Sequence, residues 1–259
     1  LGAEMLSSSV SWFADLLWPA SCRVCGRTGS PEILCEACLG TLVPGSVVSC
    51  PCCGRLGSGD PDEPPPHLCG GCLRDPPPWS RARCAFGYGG AIRELITCWK
   101  NLPEHRLGPG MCRLMVGAAG AMGWDTLVPE TLVVPVPAHP SNLRRRGFHP
   151  PALLAGAMGA ALGLEMGFQS LTLKRHVPST RALSRAARLR RTRGAYLATP
   201  RVRGRPVLLV DDVITTGATA RAAARACRRA GALEVEVAVL ARTPDHGDHS
   251  KLMVGSAAG

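Results

Sequence analysis

Four Cys-x-x-Cys pairs in the first 72 residues limit the fold of this chain more than any other feature: Cys22/Cys25, Cys35/Cys38, Cys50/Cys53 and Cys69/Cys72. Eight thiols at this spacing are the ligand set of two tetrahedral metal sites, since two intervening residues let both sulfurs of a pair reach one ion. Nine residues separate the first two pairs and fifteen the second two, the latter a zinc-ribbon spacing. Four pairs divide between two ions in three ways, and spacing alone leaves the division open. Within "CPCCG" (50–54), Cys53 rather than Cys52 keeps the two-residue spacing and precedes a glycine. Gly26 and Gly54 each follow a pair directly, where freedom to take positive φ lets backbone N–H groups turn toward sulfur. A disulfide framework fits less well, because no secretory signal accompanies the cysteines and a cytoplasm keeps thiols reduced. Thioredoxin-like chemistry uses one such pair in a βαβ setting, not four in tandem. The reading is a double zinc ribbon over residues 21–75 holding two structural zinc ions, too poor in aliphatics to fold without metal.

The remainder of the 259 residues suffices for one medium-sized domain. Residues 10–20 are apolar but interrupted by Asp15 and Pro19, too short to span a bilayer and without a basic lead-in. Residues 1–20 therefore read as an N-terminal amphipathic helix presenting Trp12, Phe13, Leu16 and Leu17 to the body of the protein. A cytoplasmic location without membrane insertion is expected. "GSGDPDEPPP" (57–66) reads as a loop and "DPPPW" (75–79) as a stiff linker. Cys84, Cys98, Cys112 and Cys227 sit in apolar or helical patterns as small core residues. The net charge of +11 is unevenly spread: residues 139–210 hold 14 Lys or Arg against Glu165 alone, leaving −2 for the rest. So concentrated a positive field suits a polyanion, either a pyrophosphate-bearing metabolite or nucleic acid.

From residue 80 to 243 strand-like and helix-like runs alternate. Strands are expected at 84–88, 131–137, 206–210 and 234–241. Helices are expected at 92–99, 107–122, 151–164 and 218–230, with a basic turn after 137. This order predicts an α/β domain, a parallel sheet flanked by helices. Residues 244–259 have no period and read as a disordered tail. In such sheets ligands bind beyond the carboxyl ends of the strands. There "VLLVDDVITTGAT" (207–219) brings Asp211 and Asp212 from the strand into a Thr/Gly turn that opens a helix. The helix N-terminus and glycine suit a phosphate, while the carboxylates suit vicinal sugar hydroxyls.

That stretch resembles the phosphoribosyl pyrophosphate (PRPP) signature of type I phosphoribosyltransferases. Four Cys-x-x-Cys pairs, then "RDPPPW", "LITCWK", "VVPVPAHPSNLRRRGF" and the PRPP loop, are similar in order to the ComF family, bacterial double-zinc-ribbon proteins associated with DNA uptake in competent cells. The likeness covers about residues 12–243. It implies that Asp211 and Asp212 contact the ribose and that Thr215, Thr216, Gly217, Ala218 and Thr219 hold the 5-phosphate. It also assigns Arg144, Arg146 and Gly147 to the pyrophosphate-side loop, with Lys100 and Arg188 as further contacts and magnesium accompanying PRPP. The reaction it implies is displacement of pyrophosphate from C1 by an acceptor the sequence does not identify. The family typically continues "RGF" with Asn-Gln, where this chain has His149-Pro150; Thr180 and Arg191 stand where a Gln and an Asn are usual. These departures make PRPP binding the firmer implication and turnover the weaker. A second reading is a non-catalytic factor holding single-stranded DNA on the zinc ribbons and arginine-rich face, or docking to DNA-uptake proteins. Few aromatics lie among those arginines (Phe148, Phe168, Tyr196), which disfavours binding by base stacking.

Overall fold

The computed structural model describes residues 21–30, 33–45, 50–55, 68–101, 107–174 and 185–244. The expected amphipathic helix at 1–20, the loop at 57–66, Thr180 and the tail from 245 lie outside these residues.

Five strands form one parallel sheet: β1 (Arg81–Gly87), β2 (Leu132–Pro135), β3 (Glu165–Met166), β6 (Pro206–Ile214) and β7 (Glu234–Arg242), in the order β1-β7-β6-β2-β3. The central strands are apolar at almost every position because both faces are covered. Pleating sends Val133, Leu208, Val210 and Leu240 to one face and Val134, Leu209, Val237 and Val239 to the other. The first face is packed by α3 (Gly90–Asn101), α4 (Leu107–Gly117) and α6 (Pro150–Leu162), through Leu95, Trp99, Met111, Met115, Leu154 and Met158. The second is packed by α8 (Ala218–Arg229), whose buried Ala222, Ala223, Ala226 and Cys227 keep the helix close to the sheet.

The expected elements are present with shifted ends. The helix expected over 107–122 stops at Gly117 and continues as turns. The basic turn after 137 is instead a helix, α5 (Pro140–Arg146). His139 Nδ1 accepts from the Ser141 N–H at 3.2 Å, Pro140 occupies the first turn, and Gly147 closes the helix at φ 76°. A small antiparallel pair, β4 (Leu171–Leu173) with β5 (Tyr196–Ala198), and α7 (Arg185–Thr192) occupy a stretch where no elements were expected. Cys84 and Cys227 are buried as expected, whereas Cys98 and Cys112 are half-buried.

The cysteine-rich segment lies against the β1 edge. It contains two short helices, α1 (Glu36–Gly40) and α2 (Gly70–Arg74), each starting directly after a cysteine. Pro44 bridges to Phe86, with Gly45 N–H donating to Ala85 O and Gly87 N–H to Val43 O, so an otherwise open sheet edge is covered. The approach is too close for side chains: a Cβ on Gly45 would meet the Cys84 carbonyl, and one on Gly54 would lie 2.4 Å from Cys84 Sγ.

Candidate functional site

The cysteines resolve into two tetrads. Cys22, Cys25, Cys35 and Cys38 form one, and Cys50, Cys53, Cys69 and Cys72 the other, each with its sulfurs within 4.8 Å of one another. Zinc–sulfur bonds of ~2.3 Å in a tetrahedron imply sulfur–sulfur edges of ~3.8 Å. Cys25–Cys35 and Cys53–Cys69 both stand at 3.6 Å, so both groups can hold zinc. Of the three divisions, sequential pairing is the one formed. Cys53 belongs to the tetrad and Cys52 does not; the Cys52 carbonyl instead accepts from Trp79 Nε1 at 2.8 Å. Gly26 and Gly54 take φ 73° and 63°, and their N–H groups return to Cys22 O and Cys50 O. Burial acts to raise the Cys22 thiol, but backbone hydrogen bonds from Cys25, Cys35 and Val24 outweigh it and bring it down to about 6. In the second tetrad the same balance, aided by Arg55, brings Cys69 down to about 7. By contrast, burial and then neighbouring cysteines push up Cys38 to about 12, Cys53 to about 11 and Cys72 as well, the cost of gathering thiolates without a cation. Thiolates are the species that bind metal.

The second site is built on β6. That strand was expected to stop at residue 210 and runs on to Ile214. Its pairing with β2 ends at Pro135–Val210, and Pro137 has no N–H to extend the ladder, whereas pairing with β7 continues to Ile214–Arg242. β6 thus protrudes past β2, and the acidic pair sits on the protruding part. Pleating starts the two side chains on opposite sides of the strand, yet their carboxylates stay close enough to interact directly, and Lys100 acts on both. Asp212, 8% exposed, faces α3, where Lys100 Nζ lies 2.7 Å from its Oδ2. Asp211 faces the α8 side and lines a cavity of about 50 Å³ with Thr192, Thr215, Thr216, Gly217 and Thr219. Its Oδ1 accepts from the Asp212 N–H at 2.9 Å. Burial first, and the adjacent Asp212 charge second, push the Asp211 carboxyl up to about 8.

Thr215, Thr216 and Gly217 make the bend from β6 into α8. Gly217 takes φ 73°, closed to most side chains, and starts a twelve-residue helix whose first amides face the cavity side. Buried Thr192 holds this end in place, its Oγ1 donating to Ala218 O at 3.2 Å. Nothing in the sequence marked Thr192, which looked like one polar residue in an arginine run. Tyr196 was noted only as a stray aromatic. It lies beside Asp211, and burial together with that charge pushes its phenol up.

On the Lys100 side, Trp99 stacks on Phe148 with ring centroids 5.8 Å apart, tying α3 to the turn after α5. His149, the departure from the family pattern, has its Nε2 3.1 Å from the Ala138 N–H and 3.0 Å from Val136 O. Burial lowers its pKa; the contact with Val136 O and the Asp212 charge oppose this and the Arg146 charge adds to it. Arg144 is exposed on the last turn of α5 and Arg146 half-buried. Lys100, Asp212, Arg146 and the turn at Gly147 therefore meet at one mouth of the sheet, and Asp211 with the Thr/Gly bend at the adjoining one. Arg188 lies on α7; its side chain is outside the described residues. No helix among the described residues is long and apolar enough to cross a membrane.

Residues 152–254 match the family model "Phosphoribosyl transferase domain". The chain is 31% identical over 211 residues to DNA utilization protein YhgH of Salmonella typhi, covering 81% of this chain and 90% of that protein. It is 28% identical over 200 residues to Competence protein F of Haemophilus influenzae, covering 76% of this chain and 86% of the relative. Among solved structures, glutamine PRPP amidotransferase from B. subtilis complexed with ADP and GMP aligns at 24% identity with a TM-score of 0.32. That alignment covers 58% of this chain and 26% of the other.

Proposed function

The chain belongs to the ComF family, and on that premise we propose that it binds PRPP with magnesium at the carboxyl end of β6 and serves in DNA uptake, a reading supported by relatives named for DNA utilization and for competence. The observation that carries this reading is the cavity where Asp211 faces the N-terminus of α8 across Thr215, Thr216 and Gly217. A 5-phosphate there would accept from unpaired helix amides at the positive end of the dipole, with glycine permitting close approach. Asp211 and Asp212 would accept from the ribose hydroxyls, Asp212 exchanging Lys100 for one of them. Lys100, Arg144, Arg146 and Arg188 would then face the pyrophosphate, and the magnesium accompanying PRPP would supply further charge neutralisation there. Displacement of pyrophosphate from C1 is the chemistry such a site offers, and guanidinium groups on the leaving charge would be worth ~3–4 kcal/mol per well-placed donor. His149 occupies an amide position of the family and is engaged with Val136 and Ala138, so holding the ligand is what these residues support best. Two structural zinc ions, one per tetrad, belong to the same reading.

Calorimetry with PRPP and magnesium tests it. The wild-type chain binds, and Asp211→Ala combined with Asp212→Ala weakens binding by at least ~100-fold; unchanged binding in the double variant overturns the assignment. Exposed Arg190, Arg191, Arg193 and Arg203 favour a second reading, that the same chain holds single-stranded DNA by its phosphates. A mobility-shift titration then shows retardation at low salt, with log affinity falling by ~0.7 per phosphate contact for each decade of salt. No retardation at low salt removes that reading.

A further inference from the structure

The second cysteine tetrad and the Thr/Gly bend share a wall. A small cleft of about 20 Å³, room for little more than one water, has Cys53, Cys69 and Cys72 on one side and Thr216 and Gly217 on the other. Trp79 and Arg221, 4% exposed each, join the two sides. Trp79 donates to the carbonyl of Cys52, next to ligand Cys53, and its ring edge lies 3.6 Å from where a Gly217 Cβ would stand. Arg221 sits over the Trp79 ring at 5.8 Å and in the first turn of α8, its backbone N–H donating to Gly217 O at 2.8 Å. Its guanidinium donates to Asp75 O at 2.7 Å and Pro76 O at 3.2 Å and pairs with the Asp75 carboxylate, all just beyond Cys72.

Charge gives this arrangement a direction. Four thiolates around a dication leave a net charge of −2 in a largely buried cluster, which burial makes costly unless cations stand near. Arg55, Arg221 and Arg242 line the cleft. Arg242, 5% exposed on the last residue of β7, has a buried Nε with no hydrogen-bond partner among the described residues. Among the described residues the apolar cluster here contains cysteines alone, Cys50, Cys53 and Cys72 with Cys52 and Cys69 against them. Metal is therefore what would fix the segment that anchors Arg221. The first tetrad has no such link: Cys22, Cys35 and Cys38 join the main core, among residues of α3, α4 and α6.

We propose that the second tetrad is an allosteric metal site for the phosphate-accepting bend: zinc held there keeps Thr216 and Gly217 in place through Trp79 and Arg221, and a ribosyl phosphate in the bend retards loss of that zinc. The second half rests on the PRPP reading: linkage makes the ligand tighten zinc binding, and a ligand that holds the bend against Trp79 and Arg221 does so by slowing the opening that lets zinc leave.

The test uses the full chain and hydrogen exchange of the segment 214–220, which needs no ligand. Cys69→Ser, in the second tetrad, accelerates exchange there by ~10-fold or more, while Cys25→Ser, in the first, changes it by less than ~2-fold. Should Cys69→Ser fail to fold, Trp79→Phe keeps the ring, removes the bond to Cys52 O and produces the same acceleration with both zinc ions bound. In parallel, chelator-driven zinc release is timed with and without ribose 5-phosphate, which slows one of the two release phases by ~3-fold or more. Equal exchange at 214–220 in wild type, Cys69→Ser and Trp79→Phe overturns the coupling. Accelerated exchange in a chain that binds no ribosyl phosphate overturns the ligand reading and the reciprocal half, and leaves the structural coupling standing.

Discussion

Asp211 and Asp212 act directly on each other, and it is Asp212 that meets Lys100. Asp211 is left on the α8 side with its carboxyl pushed up to about 8, first by burial and then by the Asp212 charge. The folded chain therefore keeps a proton on Asp211 between about pH 4 and 8 that the unfolded chain releases. More protons bound to the folded state means stability falls as pH rises through that window, with the full penalty present above its upper end. Asp211→Asn is neutral at every pH and nearly the same shape. Its melting temperature is expected to match wild type near pH 4.5 and to exceed it by several degrees at pH 8.5, about 1–3 kcal/mol after screening by solvent at the cleft. Asp212→Asn works in the opposite direction, since it leaves the Lys100 ammonium without its carboxylate. Parallel melts of the three chains across pH decide the matter; a constant offset between wild type and Asp211→Asn would show that the penalty is absent. Such a cost at a sheet mouth is what a binding site carries, because cations and hydroxyls of a ligand offset it.

At the scale of elements, legibility followed from how local the governing physics is. β6 and β7 were visible because a strand buried on both faces must be apolar throughout, and α8 because alternating Ala and Arg place small residues on one helical face. The Thr/Gly bend was visible because positive φ at Gly217 leaves a glycine in the sequence. The end of β6 was misjudged because carboxylates read as the end of burial, whereas pairing with β7 carries the strand to Ile214 whatever its side chains. α5 hid behind prolines and arginines; its caps are a histidine ring nitrogen and a glycine, and the first has no sequence signature. Thr192, Trp79 and Arg221 were missed as site residues for one reason. Thr192 and Trp79 meet Ala218 and Gly217, and the Arg221 guanidinium meets Asp75 and Pro76, through contacts formed between distant elements that no local pattern encodes. The four cysteine pairs declared two metal sites, but only the fold could say that they pair sequentially.

For the molecule as a whole, the cysteine-rich segment does three things at once. It covers the β1 edge through Pro44–Phe86, contributes Cys22, Cys35 and Cys38 to the main core, and anchors Arg221 beside the Thr/Gly bend. Around the second tetrad, among the described residues, the cysteines alone form the apolar cluster, so metal binding there would be folding free energy. Elemental analysis of chain purified without chelator is therefore expected to find two zinc ions per molecule. Stripping them should lower the melting temperature by more than ~10 °C, because structural zinc in small domains contributes on the order of 10 kcal/mol. The strand ladder β7-β6-β2 contains no cysteine ligand and would keep its far-ultraviolet signature, while β1, losing its cover, would present an open edge to other copies of the chain. Metal-free protein should accordingly retain much of its secondary structure yet associate, and zinc added before association should restore the monomer peak on size exclusion. One zinc or none, or a stripped chain that melts and elutes as the loaded one does, would mean that the sheet stands without its ribbons and that the thiols serve some other end.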